Sequence, residues 1–261
     1  MALLEAYVYS NVLEMEVCLN VILPQKTSKK VGTSTTGGSA KLPVLYLLHG
    51  MGGNHSVWAR RTSIERYVAD LGLAVIMPST DLGWYTDTSY DMKYWTFVSQ
   101  ELPNICHELF PQLSERKEDT FAAGLSMGGY GALKLGLATD QFQAVGSLSG
   151  AVNIGYHMQE FVAVRKLAYW EGIFGPLDQV KGSANDLFAL AAKKQAPPAI
   201  YLACGEQDPL LLANKELTKK LTEWQIPFTF ETAPGGHDWL FWDQQIQAFL
   251  QWLQPFLPSK K

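Results

Sequence analysis

Long apolar runs, paired cysteines and a large excess of one charge are all missing from this chain. No uninterrupted apolar stretch reaches the roughly eighteen residues that a membrane-spanning helix requires, so no membrane association is expected. Cys18, Cys106 and Cys204 are odd in number, far apart and set in apolar or helical patterns. That arrangement excludes a disulfide framework and reads as buried thiols in a reducing cytoplasm. A net charge of -4 gives no electrostatic basis for a nucleic-acid partner. The opening Met1-Ala2-Leu3-Leu4-Glu5-Ala6 has no basic segment, carries an early acid and is not followed by a long apolar core. A secretory signal is therefore not expected.

What is present is the composition of a globular protein, with 47% hydrophobic and 18% charged residues in 261. Tyr7 to Pro24 alternates as an antiparallel strand pair, with Met15, Val17, Leu19 and Val21 on one face and Glu14, Glu16 and Asn20 opposite. Gln25 to Lys41, rich in Lys, Thr, Ser and Gly, reads as a flexible surface connection. Val44 to Leu48 and Ala74 to Met77 are short continuous apolar runs, the signature of strands buried on both faces of a parallel sheet. Between them Thr62-Ser63-Ile64-Glu65 has the pattern of a capping box. A loop from Ser79 to Lys93 leads to a helix from about Tyr94 to Phe110, expected to be bent or interrupted near Pro103. Strand and helix then alternate to the end: strands at 120–123, 142–148, 200–204 and 228–232, helices at 130–135, 210–224 and 239–253. This predicts one α/β domain over residues 1–261, with a mostly parallel central sheet, helices on both faces and antiparallel strands at the N-terminus. From about 151 to 196 the rhythm breaks, which reads as a cap-like insertion over the ligand crevice.

Ala123-Gly124-Leu125-Ser126-Met127-Gly128-Gly129 sits between a predicted strand and a predicted helix. Gly-x-Ser-x-Gly alone arises by chance in glycine-rich loops, but in this context it reads as a nucleophile elbow, where small neighbours let a serine hydroxyl stand exposed on a tight turn. The serine needs a base and the base an orienting acid, in the order serine, acid, histidine. Beyond Ser126 only His157 and His237 remain. His237, in the glycine loop before the last helix, is the candidate base, whereas His157 lies in the irregular insertion. Asp208, directly after a strand, is the candidate acid, with Glu206 as fallback; Asp208-Pro209 equally resembles a helix cap. Asp238 is set aside because consecutive side chains point apart. Oxyanion donors are expected at the Met127 amide and, from His49-Gly50-Met51-Gly52-Gly53, at the Met51 amide, with Gly52 as runner-up. His49 precedes the nucleophile and reads as an organiser of that loop. Trp84, Tyr85, Tyr94, Trp95 and Trp239, with the stretch from Tyr156 to Trp170, are expected to border a substrate pocket.

Several of these segments together resemble a known family: His49-Gly50-Met51-Gly52-Gly53-Asn54, Tyr94-Trp95-Thr96-Phe97 leading to Glu101-Leu102-Pro103, Gly124 to Gly129, and Gly236-His237-Asp238-Trp239 with Phe241-Trp242. The chain is similar to the esterase D group of α/β-hydrolases, above all to its bacterial tributyrin esterase branch. The resemblance implies the α/β-hydrolase fold and a cytoplasmic serine carboxylesterase acting on short-chain acyl esters, with a small-molecule substrate, no metal or organic cofactor and assembly as a homo-oligomer. The same group holds S-formylglutathione hydrolases and feruloyl esterases, so an aryl-ester or acetyl-xylan substrate is an alternative. No cysteine lies near the His49-Gly50 loop, which departs from the formylglutathione pattern. A catalytically silent binding module is the non-enzymatic alternative, and such relatives typically lack a triad member that is present here.

Overall fold

The computed structural model describes residues 1–27 and 41–258. The surface connection expected from Gln25 to Lys41 therefore lies mostly outside the described residues. The N-terminal pair is a hairpin of β1 (Ala2–Ser10) and β2 (Met15–Leu23), with Tyr7 opposite Cys18. It begins earlier than the alternation suggested, because β1 is an edge strand whose outer face stays exposed and leaves little apolar pattern. In β2 residues of both faces, Val17, Leu19 and Val21 on one and Asn20 and Ile22 on the other, are buried, since β2 also pairs with β4 (Ala74–Pro78). Glu101 accepts hydrogen bonds from the Asn11 and Val12 amides at 2.7 and 3.2 Å, closing the hairpin onto the body of the protein.

The sheet has eight strands in the order β1-β2-β4-β3-β5-β6-β7-β8, where β3 is Val44–Leu48, β5 Thr120–Leu125, β6 Ala144–Leu148, β7 Ala199–Gly205 and β8 Phe228–Ala233. Pairing is antiparallel for β1-β2 and β2-β4 and parallel from β4 to β8. Every residue of β3, β4 and β6 is buried, as expected for strands covered on both faces. This is the α/β-hydrolase architecture expected from the alternation of elements. Because β3 and β5 to β8 run parallel, the loops after them emerge at one edge and gather His49, Ser126, Ser149, Asp208 and His237 there.

One local expectation is corrected and another is met in finer detail. The segment after β3 holds two short helices, α1 (Val57–Arg61) and α2 (Ile64–Val68), and the capping box before α2 does not form. The Thr62 hydroxyl instead donates to Trp58 O and accepts from the Ile64 amide, ending one helix and starting the next. The helix predicted near Tyr94 is divided into α3 (Tyr94–Thr96), a π-helical turn (Phe97–Glu101) and α4 (Leu102–Leu109). The distortion precedes Pro103 because proline lacks the N–H that would bond the Ser99 carbonyl one turn back. That carbonyl accepts from Gln141 Nε2 at 3.0 Å instead.

The predicted helix after the serine is α5 (Met127–Ala138), buried along nearly its whole length. Between residues 151 and 196 lie α6 (Met158–Val164), α7 (Leu167–Phe174) and α8 (Leu187–Lys193), the last capped by Asp186, which accepts from the Phe188 amide. The closing elements are α9 (Leu211–Glu223) and α10 (Trp239–Leu253). Among the described residues no helix is long and apolar enough to cross a membrane.

His49, at the end of β3, holds the loop that follows. It is 1% exposed, its Nδ1–H donates to Gly50 O at 2.8 Å and its Nε2 accepts from the Thr80 amide at 3.1 Å. This bonding needs the neutral ring, and burial pushes its pKa down from 6.5 to about 4. Between these values the unfolded chain binds a proton that the native chain refuses, so stability falls as pH drops from 6.5 toward 4. A fall of 2.5 pH units corresponds to about 3 kcal/mol. Urea titrations at pH 7 and pH 4 are expected to show wild type losing about 3 kcal/mol more than His49→Gln over that interval; equal losses would contradict the assignment.

Candidate active site

Ser126 stands between β5 and α5 with φ 53° and ψ -116°, a conformation L-residues rarely adopt. Surrounding hydrogen bonds impose it: the Ser126 amide donates to Leu148 O at 2.9 Å, and Ser126 O accepts from Tyr130 and Ala151. Two glycines make room. A Cβ on Gly124 would collide with the Gly128 carbonyl, and one on Gly128 with the Leu48 and His49 carbonyls. The turn is thus possible only because β5, α5 and the end of β3 pass at backbone contact.

The serine hydroxyl lies 3.0 Å from His237 Nε2, and His237 Nδ1 lies 2.9 Å from Asp208 Oδ2. The other Asp208 oxygen accepts from the Leu210 amide at 2.8 Å. Asp208 thus orients the imidazole and shapes the turn after β7 at once; it is not the N-cap, since α9 starts three residues on, at Leu211. Burial raises the pKa of its carboxyl, but the hydrogen bonds from His237 and Leu210 outweigh this and hold it below the ordinary value. Glu206, the fallback acid, is exposed and has its own amide bonded to Ala233 O. His157 pairs instead with Glu160 and Glu216, at 3.5 and 3.3 Å.

The His237 ring packs edge-to-face on Trp242 at 4.9 Å. Its neighbour Asp238 caps α10, accepting from the Phe241 amide at 3.1 Å. Both roles escaped the sequence reading, although Asp238 opening the final apolar helix is a cap signal.

Opposite the serine, Gly53 N donates to Gly50 O at 3.0 Å, closing a turn with Met51 and Gly52 at its centre and Gly52 at φ 79°. A Cβ on Gly50 would lie 3.5 Å from that of Ser126, so this turn abuts the nucleophile. The turn's own bond uses neither the Met51 nor the Gly52 amide. Met127 is the first residue of α5, where an amide has no acceptor within the helix and the macrodipole favours negative charge.

The predicted aromatic pocket divides. Tyr85 is fully buried and donates to His49 O at 2.9 Å, so it supports the turn after β3 and presents no face to a ligand. Tyr94 is buried against Gly83 and donates to Asp81. Trp84 is 2% exposed, its indole N–H donates to Tyr169, and its ring meets Tyr130, Phe161, Trp170 and Phe174 at centroid distances of 5.1 to 6.2 Å. Trp239 packs between Trp58 and Trp242, 5.3 Å from each. Trp95 lines a cleft of about 530 Å³ with Asp87 and Lys134, separate from Ser126. Their clustering in loops suggests a pocket, whereas packing assigns most of these rings to the supports beneath.

Lys134 was missed. It is buried, donates to Tyr85 O, Thr86 Oγ1 and Asn185 Oδ1 at 3.0, 3.1 and 2.7 Å, and lies over the Trp95 ring. Burial lowers its pKa to about 7. It pins the strained pair Trp84 and Tyr85, at φ 51° and 49°, to the segment between residues 151 and 196. One lysine in an otherwise uncharged helix was the available signal.

Comparison with known proteins agrees with this geometry. Residues 10–253 match the family model Esterase, described as "Putative esterase". The acetyl esterase of Caldicellulosiruptor saccharolyticus is 34% identical over 97% of this chain and 98% of its own. Among solved structures, the fluorophosphonate-binding serine hydrolase F of Staphylococcus aureus, determined with substrate bound, superposes with a TM-score of 0.85 at 33% identity, covering 97% and 98% of the two chains. The S-formylglutathione hydrolase FrmB of the same organism superposes with a TM-score of 0.82 at 32% identity and the same coverage. The chain belongs to the esterase family and is a serine hydrolase of the α/β-hydrolase fold.

Proposed function

We propose that this chain is a carboxylesterase for short-chain acyl esters, working through an acyl-enzyme on Ser126. The observation that carries the proposal is the pair of hydrogen bonds linking Ser126 to His237 and His237 to Asp208, 3.0 and 2.9 Å long. In this reading His237 Nε2 takes the Ser126 proton as Oγ bonds to the acyl carbon, and the carbonyl electrons move to oxygen, where the Met127 amide and that of Met51 or Gly52 receive them. The tetrahedral adduct collapses as the protonated imidazole gives its proton to the leaving alkoxide. Water, deprotonated by the same nitrogen, then releases the acid and restores the serine. Asp208 keeps Nδ1 protonated and balances the imidazolium charge.

A small acyl group is supported by the rings of Trp84 and Phe174, which pack on Tyr130, one helical turn after Ser126, and are backed by Phe161 and Trp170. The acetyl esterase relative points the same way. We place the chain with tributyrin-cleaving esterases, with residues of about 151–196 as the cap and the cytoplasm as its compartment, a reading that three unpaired cysteines suit. S-formylglutathione is the second candidate, favoured by the similarity to FrmB.

Ser126→Ala is expected to keep the fold and lose at least roughly a thousandfold in kcat/KM, and a phosphonate probe to label wild type only. Activity persisting in that variant would remove the mechanism. Asp208→Asn can still accept from the Leu210 amide but cannot balance the imidazolium, so turnover should collapse with little change in Tm, while Glu206→Gln stays active. The reverse result would reassign the acid. Across nitrophenyl esters from acetyl to dodecanoyl, kcat/KM should peak between acetyl and butyryl, because each further methylene forgoes about 0.8 kcal/mol of burial or meets packed rings. Tributyrin should be cleaved faster than methyl ferulate or S-formylglutathione; a rate still rising beyond decanoyl, or a preference for the thioester, would replace the short-chain assignment.

A further inference from the structure

Three side chains that the ester chemistry does not use converge midway along one face of the β1-β2 hairpin. Cys18 Sγ lies 3.2 Å from His55 Nε2 and 3.6 Å from Glu5 Oε1, and His55 Nε2 lies 3.6 Å from the same Glu5 oxygen. They come from three separate parts of the chain. Glu5 and Cys18 share a face of β1 and β2, Cys18 facing Tyr7 across the ladder, while His55 arrives from the loop that begins at His49. No other set of at least three such donors is this close among the described residues.

We propose that Glu5, Cys18 and His55 form a binding site for a divalent zinc-class cation, distinct from the esterase site. A tetrahedral ion with bonds of about 2.3 Å to sulfur and about 2.0–2.1 Å to nitrogen and oxygen separates its donors by about 3.4–3.6 Å. The two 3.6 Å separations lie in that range and the 3.2 Å one between Cys18 Sγ and His55 Nε2 is a few tenths of an ångström shorter, so a small opening of that pair lets the donors outline one face of such a tetrahedron and leave the fourth position to water. One thiolate, one imidazole and one carboxylate is a donor set that favours zinc over magnesium or calcium. The surroundings orient each ligand as outer-shell partners do. Ser79 Oγ lies 3.0 Å from His55 Nδ1 and also accepts the His55 amide, turning Nε2 toward the sulfur. The Tyr7 hydroxyl donates to Glu5 Oε1 at 2.9 Å, and the Ser79 amide bonds Cys18 O. The Glu5 side chain is 55% exposed and that of His55 14%, giving an ion a way in from solvent. Binding is an exchange without redox change: the ion gains three protein bonds and sheds water, and the Cys18 thiol gives its proton to solvent. An ion held here would tie the edge hairpin to the loop carrying Met51.

The test uses full-length protein stripped with a chelator, titrated with Zn2+ against a chromophoric competitor and separately with Co2+. The expected result is one Zn2+ per chain, with affinity falling at least roughly a hundredfold in Cys18→Ser and in His55→Gln and roughly tenfold in Glu5→Gln. The Co2+ form should show a sulfur-to-metal charge-transfer band that Cys18→Ser lacks. Cys18→Ser should keep wild-type esterase activity without metal, which reports on its folding. Absence of stoichiometric binding below millimolar Zn2+ would overturn the site. So would binding that survives Cys18→Ser but is lost in His157→Gln, which would put the ion at the exposed His157, Glu160 and Glu216 group.

Discussion

Backbone contact between the first turn of α5 and the end of β3 is the constraint on which the rest of the site depends. Gly128 runs against the Leu48 and His49 carbonyls, and Gly124 against Gly128. This closeness brings the Met127 amide and the Gly50-to-Gly53 turn to the same side of Ser126. The serine takes a backbone conformation that costs on the order of 1–3 kcal/mol. Its hydrogen bonds to Leu148, Tyr130 and Ala151, and the burial of α5, offset that cost and leave no relaxed alternative. A side chain at either glycine would move the helix outward and separate the two candidate oxyanion donors.

Around this contact three buried polar side chains each serve more than one neighbour. Asp208 gives one oxygen to the Leu210 amide and the other to His237, so the turn that positions the carboxylate is built from the carboxylate itself. His49 bonds Gly50 on one side and Thr80 on the other, fixing the turn that follows β3. Lys134 joins two irregular segments that also meet through aromatic packing and the hydrogen bonds of Trp84 to Tyr169 and of Ser89 to Gly172. A buried polar group without partners costs free energy; here the same bonds that lower the cost also locate the loops.

Aromatic side chains supply the remaining rigidity. Trp58, Trp239 and Trp242 pack in sequence, and Trp242 meets the His237 ring edge-to-face. The histidine loop, rich in glycine and without regular structure, is thus held against a helix instead of being left to swing. On the far side of the His49 loop, Ser79 and His55 connect the turn to the edge hairpin.

Sequence alone determined the α/β architecture, because strands buried on both faces must be continuous apolar runs and the helices between them must be amphipathic or buried; Val44 to Leu48, Ala74 to Met77 and Trp239 to Leu253 carry that pattern openly. It also singled out Ser126, Asp208 and His237, since elbow chemistry and chain order are local or one-dimensional signals, and these three stand in one hydrogen-bonded line. It failed where the signal was not local: β1 as an exposed edge, and the split between rings that line a crevice and rings that hold it up. Trp84 and Tyr85 read as ligand contacts, yet whether an aromatic face meets solvent or another ring is decided by elements far away in the chain. For the same reason only the tertiary structure could bring Glu5, Cys18 and His55 together or give Lys134 its three acceptors. Those distances depend on strand register and loop packing, which no spacing along the chain records.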